Sequence, residues 1–196
     1  MPPRTDSRDI ILASGSVKRA ELLEKIGIPF RVVVSGCDED MSSAKDPKIL
    51  ARKLSQEKAR CVAKKYPRAL IIAADTFGVT GKILHGKPKN RSDATRMLRH
   101  LSGRMHKVIT GVTVIDGEKR KEHSFVAVTK VWFRPITPRE LTWYVDSRDW
   151  EGKGAGYTLL GRAGMFIERV DGEPGTILGL PLCALVQTLK KFGITF

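Results

Sequence analysis

The chain has 196 residues and a mass of 21.8 kDa, enough to bury a substantial core in one domain. No apolar run reaches the roughly 18 residues of a membrane helix, and the polar opening MPPRTDSRD leads into IILA, far too short for a signal-peptide core. A soluble, cytoplasmic protein with no membrane partner is expected. The net charge of +14 favours polyanionic partners, nucleotides and nucleic acid among them, without choosing between them.

The three cysteines, Cys37, Cys61 and Cys183, are odd in number, lack CxxC spacing and sit in or beside apolar patterns. Reduced thiols are expected, with neither a disulfide nor a zinc site.

In chain order, IILA at 10–13 reads as a short buried strand after a flexible tail over 1–9, with SGS as the following turn. VKRAELLEKIG carries helical spacing and stops at Gly27. FRVVV at 30–34 suggests a second strand, followed by the acidic loop SGCDED. PKILARKLSQEKARCVAKKY makes a long helix closed by Pro67, and RALIIAA is the next strand, ending at Ala74. After HGKP, Ala94, Met97, Leu98 and Leu101 define an amphipathic helix stopped by Ser102 and Gly103. HKVITGVTVI and SFVAVTKVWF, separated by Asp116, Gly117 and a charged turn, form a hairpin. Thr137, Pro138 and Glu140 make a capping box that starts a helix through about Val145. EGKGAGYTLLGRAG is glycine-rich, MFIERV is a strand, and a last amphipathic helix begins at Pro181. Without repeats or linkers, the chain reads as a single domain over 1–196: α/β, with a mixed twisted sheet, a long central hairpin and flanking helices.

Several residues break these patterns. Arg19 shares a face with Leu22, Leu23 and Ile26, yet lies in the first helical turn. With Ser14, Gly15, Ser16 and Lys18 it forms either a cradle for an anion at a helix N-terminus or an ordinary cap beside a surface arginine. Lys58 borders the stripe of Leu50, Leu54, Cys61 and Val62, as a snorkelling lysine or as a buried one needing an anion. Asp75 ends an apolar strand on a carboxylate, at the sheet edge where open α/β folds place their sites. Asp38 and Glu39 also follow a strand, and with Asp75 they offer oxygen ligands to a hard divalent cation. Lys87, before Pro88, sits on a stiffened loop able to aim an ammonium at phosphate. His85, His100, His106 and His123 show no metal-ligand spacing, and GKGAGY lacks the P-loop pattern.

LASGSVKRAELL, SGCDED, LSQEKARCVA, AADT with HGKP, LSGRMHKVITGVTV, GKGAGYTLLG and GLPLCAL, in this order, resemble the Maf family of nucleoside triphosphate pyrophosphatases from about residue 10 to 192. The resemblance implies a fold with a cleft between two lobes, a homodimer, and hydrolysis between the α and β phosphates with a divalent cation, Mg2+ or Mn2+. It implies Asp75 as the group that activates water, Glu39 with Asp75 as metal-holding groups, and Ser14, Ser16, Lys18, Arg19, Lys58, Lys87 and Lys153 as substrate-binding groups. Three positions matter for the base. Thr76 is the residue typical of members acting on dTTP and UTP, while Lys18 replaces the family's first arginine and Leu160 its glutamine. Val17 also stands where the family has proline. A different class of function, a basic nucleic-acid-binding or regulatory protein on the same fold, is compatible with the charge and with Lys18 and Leu160.

Overall fold

The computed structural model describes residues 8–196, so the tail expected over 1–9 falls largely outside the described residues. Its last two residues are tied down: Arg8 donates to the Phe192 carbonyl at 2.6 Å, and Asp9 pairs with Arg31. Two compact units are present. Unit 1 comprises residues up to Asp75, Thr110–Ala127 and Gly179–Phe196; unit 2 comprises Thr76–Ile109 and Val128–Leu178.

In unit 1, β1 (Ile10–Leu12) runs parallel to both β2 (Arg31–Val32) and the start of β3 (Leu70–Thr80). The helix after β1 is α1 (Val17–Lys25), and α2 (Pro47–Lys65) follows β2. Asp46 sets the start of α2: its Oδ1 accepts from the N–H groups of Lys48 and Ile49, and Pro47 takes the first-turn position where no N–H is needed. Alternation along the strands puts Ile11, Ala13, Ile71 and Ala73 on one face, packed with Ala59 and Val62 of α2. The helix lies close to β5 (Met105–Asp116), where Gly111 presents bare backbone to it, and Gly117 just after β5 does the same for Pro67 just after the helix. A Cβ at Gly111 would stand 2.2 Å from the Ala51 carbonyl oxygen, and one at Gly117 2.3 Å from that of Pro67.

In unit 2, β3 turns at Gly81 into β4 (Ile83–His85), which pairs with it antiparallel. Helix α3 (Arg91–Leu101) is capped by Asn90, and α4 (Pro138–Asp146) begins with the expected Thr137–Glu140 capping box. The strand β6 (Lys121–Phe133) pairs antiparallel with β7 (Ile167–Asp171), and a short helix, α5 (Pro174–Leu178), follows. Leu98, Leu101, Val131, Phe133, Tyr144 and Phe166 form the centre of this unit's core. The final helix, α6 (Leu182–Lys191), belongs to unit 1. Among the described residues the sheet has seven strands in the order β2-β1-β3-β5-β6-β7, with β4 on β3, and it is mixed, as expected.

The structure corrects several expectations. β3 does not stop at Ala74 but continues through Asp75 to Thr80, because TFGVT supplies β-branched and aromatic residues and β4 pairs with its far end. The second strand shrinks to Arg31–Val32, and β7 starts at Ile167 after a 3-10 turn over Arg162–Phe166. Cys37 and Cys61 are joined in a disulfide, against the expectation of reduced thiols: the chain after β2 folds back on α2 and brings together residues 24 apart. No helix among the described residues is long and apolar enough to cross a membrane.

Candidate active site

Asp75 is the next residue after Ile71 and Ala73 on the face of β3 that packs against α2. On α2, Lys58 precedes Ala59 and lies one turn before Val62, so it occupies the same buried stripe. The two periodicities therefore drive a carboxylate and an ammonium toward each other. Lys58 Nζ bonds Asp75 Oδ1, and its second anionic partner is Glu39 Oε1 at 3.0 Å. Lys58 and Asp75 side chains are each 10% exposed and Glu39 45%, so the cluster opens to solvent on the Glu39 side. Lys58 is thus not a snorkelling lysine. An unpaired buried charge is costly, and two carboxylates around one ammonium offset that cost.

Burial pushes the Asp75 carboxyl above the usual carboxylate range, Lys58 and Arg19 pull it back, and Glu39 adds to the rise. Asp75 Oδ2 is buried with no hydrogen-bond partner among the described residues. Arg19 is the second cation of this cluster. Burial lowers its pKa, while Asp75 and Glu39 act in the opposite sense. Its guanidinium donates to Ser14 Oγ at 3.0 Å and to the Gly179 carbonyl at 2.8 Å. Ser14 Oγ also accepts from the Ser16 N–H at 3.2 Å, and the Ser16 side chain makes no capping bond. Lys18, in contrast, is turned to Glu21 at 2.8 Å and does not join the cluster.

The remaining residues lie in unit 2. Thr76 is half-buried on β3, directly after Asp75. Lys87 is exposed on the loop after β4. That loop is fastened to the glycine-rich stretch: the Ala155 N–H donates to the Gly86 carbonyl at 2.8 Å, and a Cβ on Gly156 would stand 3.2 Å from Pro88. Lys153 therefore sits on a segment adjoining that of Lys87, and it bonds the carbonyl and carboxylate of Asp149. Leu160 is 65% exposed. Asp149 and Gly179 escaped the sequence reading: Asp149 meets Lys153 in a turn after α4, where no helical spacing announces the pair, and a backbone carbonyl leaves no signal.

A cation would find a fitting environment in unit 1. Glu39 and Asp75 already converge on one positive charge, and Asp75 Oδ2 has unused acceptor capacity. No group of three or more His, Cys, Asp or Glu capable of holding a metal occurs among the described residues. Two carboxylates completed by substrate phosphate oxygens and water suit Mg2+ or Mn2+ better than a closed protein cage.

A mixed α/β fold with carboxylates, a lysine and an arginine clustered at one strand defines a protein suited to phosphate chemistry. The chain belongs to the Maf family, matching the Maf-like protein family over residues 9–192. It is 42% identical over 185 residues to the dTTP/UTP pyrophosphatase of Carboxydothermus hydrogenoformans, covering 94% of this chain and 98% of that protein. The dTTP/UTP pyrophosphatase of Deinococcus radiodurans is 43% identical over 195 residues, 100% of this chain and 98% of the relative. That of Syntrophus aciditrophicus is 39% identical over 188 residues, 95% of this chain and 92% of the relative.

Proposed function

We propose that this chain is a nucleoside triphosphate pyrophosphatase that hydrolyses the α–β phosphoanhydride of dTTP, UTP or modified relatives, giving the monophosphate and pyrophosphate. The observation that carries the mechanism is Asp75, buried with one oxygen on Lys58 and the other without a partner among the described residues. The names of the relatives point to the same activity.

In this reading Asp75 Oδ2 takes a proton from water as the water oxygen bonds to phosphorus and the α–β bridging P–O bond breaks. A carboxyl raised above its ordinary range by burial is a stronger base once ionised. Arg19 and Lys58 neutralise phosphate oxygens, Ser14 orients Arg19, and Lys87 and Lys153 hold the polyphosphate. Ser16 contributes at the N-terminus of α1, and Lys18 would reach phosphate only by leaving Glu21. Bound Mg2+ or Mn2+, held by Glu39 and Asp75, would neutralise charge on the phosphates. Thr76 is the position that favours pyrimidine nucleotides, and Leu160 supplies no amide to a base edge. Action as a homodimer in the cytoplasm belongs to the same proposal, and light scattering in solution tests the assembly.

A nucleotide panel with Mg2+ or Mn2+ tests the activity, with pyrophosphate as the expected product. Asp75→Asn is expected to lower kcat by about a thousandfold, within the range for loss of a general base. Release of orthophosphate instead, or full activity of Asp75→Asn, would sink the proposal.

A further inference from the structure

We propose that Cys37 and Cys61 form a reversible redox modification site that sets the position of Glu39. The proposal rests on the reading of Glu39 as a metal-holding residue. Cys37 lies two residues before Glu39, and Cys61 lies three residues, one helical turn, after Lys58. The disulfide between them spans 6.6 Å from Cα to Cα, inside the range such bonds cover. It therefore ties the acidic segment to the helix next to the ion pairs that define the site.

That segment needs a tether. Between Val33 and Asp46 the chain forms no helix or strand, so no ladder of backbone hydrogen bonds holds it. Besides the disulfide, Val33 at its start packs against the cluster of Ala59 and Val62, Lys58 reaches Glu39 at 3.0 Å, and Lys53 reaches the Ser43 carbonyl at 2.8 Å. Lys53 is exposed and Glu39 is 45% exposed, so solvent competes for both polar contacts from at least one side even though Lys58 is buried. The helix side of the link is fixed, since α2 lies against the bare backbone of Gly111. Opening the bond thus frees the segment carrying Glu39, not the helix carrying Lys58.

Both redox states are accommodated. Cys37 and Cys61 are both half-buried residues and neither is sealed in the core, which leaves them open to a small reagent. The Ser35 carbonyl lies 3.7 Å from Cys37 Sγ and 3.6 Å from Cys61 Sγ, and it accepts from a thiol when the bond is open. Reduction proceeds by thiol–disulfide exchange with a dithiol. One thiolate of the dithiol attacks one sulfur, the S–S bond breaks and the other cysteine leaves as a thiolate; the second thiol then displaces the first cysteine. Two electrons and two protons pass to the protein, and the dithiol departs as its own disulfide. A low-molecular-weight disulfide such as oxidised glutathione drives the reverse.

The test compares the full chain after oxidised glutathione and after dithiothreitol. Alkylation followed by intact mass is expected to label one thiol, Cys183, in the oxidised chain and three in the reduced chain. Hydrogen exchange over 33–46 is expected to accelerate roughly tenfold on reduction, while that of α2 stays unchanged. The Mg2+ concentration for half-maximal pyrophosphate release is expected to rise about fivefold, with kcat at saturating Mg2+ little altered. Cys37→Ser, in either reagent, is expected to match the reduced wild type. Three labelled thiols after glutathione treatment, or equal exchange over 33–46 in both states, overturns the proposal. So does a redox-dependent exchange rate with an unchanged Mg2+ requirement. Absence of pyrophosphate release in both states overturns the functional reading instead, and thiol counts and exchange still decide the redox link.

Discussion

Asp75 was conspicuous as a carboxylate interrupting LIIAA, because a buried charge contradicts the residues before it. Its partner was less visible. Lys58 lies 17 residues away on another element, and its position beside the apolar stripe suited a snorkelling lysine equally well. Only the packing of α2 on β3 distinguishes the two. Glu39 belonged to a run of acids that reads as a solvated loop, and its contact with Lys58 depends on where an irregular segment folds. Leu160 offers a sharper residue-scale prediction, since it is 65% exposed and contributes no core packing. Leu160→Gln is expected to leave the unfolding temperature within about 1 °C, as for exposed substitutions generally. If the proposed site is right, it is also expected to change the kcat/KM ratio between UTP and a purine triphosphate on the order of tenfold by supplying an amide that Leu160 lacks. Parallel kinetics with both nucleotides measures this, and an unchanged ratio removes Leu160 from the specificity reading.

At the scale of elements, backbone proximity positions α2. Gly111→Ala would place a Cβ 2.2 Å from the Ala51 carbonyl oxygen, where only movement of the helix or the strand gives relief. The expected cost is about 3 kcal/mol, seen as a fall in unfolding temperature on the order of 10 °C. Calorimetry checks it, and a wild-type unfolding temperature would show that α2 is not seated by this contact. The strands β4 and β5 carry a second prediction. His106 is buried with Nε2 2.6 Å from Tyr157 Oη, and its pKa is pushed down to about 4, chiefly by burial. His85 is also lowered to about 4, by burial and then by His100 and Arg96. Both folded values lie below the ordinary 6.5, so between these limits the unfolded chain binds protons that the folded chain refuses. Stability is therefore complete above pH 6.5 and declines as pH falls toward 4. For His106 the loss is about 2 kcal/mol by pH 5. His106→Gln keeps a hydrogen-bonding side chain but does not titrate, and it is expected to remove about half of the pH dependence of unfolding that the two histidines give between pH 7 and 5, His85 retaining the rest. The order of elements was largely legible from period and caps. The length of β3 was not, because Asp-Thr looks like a terminator and β4 is too short to announce itself.

For the whole molecule, the charge of +14 has a local expression in unit 2. A cavity of about 290 Å3 is lined by His85, Arg96, Arg99, His100 and Arg104, together with Ile83 and Met97. Asp93 engages Arg96, while Arg99 and Arg104 are exposed. Such a surface attracts polyanions through their phosphates without reading their sequence. Nucleic acid is expected to bind weakly at low salt and to dissociate by roughly 0.2 M salt. Fluorescence anisotropy with a labelled oligonucleotide measures this, and an Arg99→Glu, Arg104→Glu double variant is expected to weaken binding while retaining pyrophosphate release. Binding that persists at high salt with a sequence preference would instead make nucleic acid a specific partner. Composition revealed the sign and size of the charge, but the concentration of arginines at one cavity depends on α3 presenting Arg96 and Arg99 one turn apart, with Arg104 just beyond its end.

The bare backbones at Gly111 and Gly117 also limit how this chain can vary. Every codon change that replaces either glycine adds at least a Cβ, and at both positions that atom would meet a carbonyl. Neither residue has a neutral neighbour in sequence space, although neither belongs to the proposed set of groups acting on phosphate. A saturation-mutagenesis screen for activity is expected to find these two positions nearly as intolerant as Asp75. Protein abundance measured in parallel would separate them: loss of folded chain at the glycines, folded but inactive chain at the aspartate.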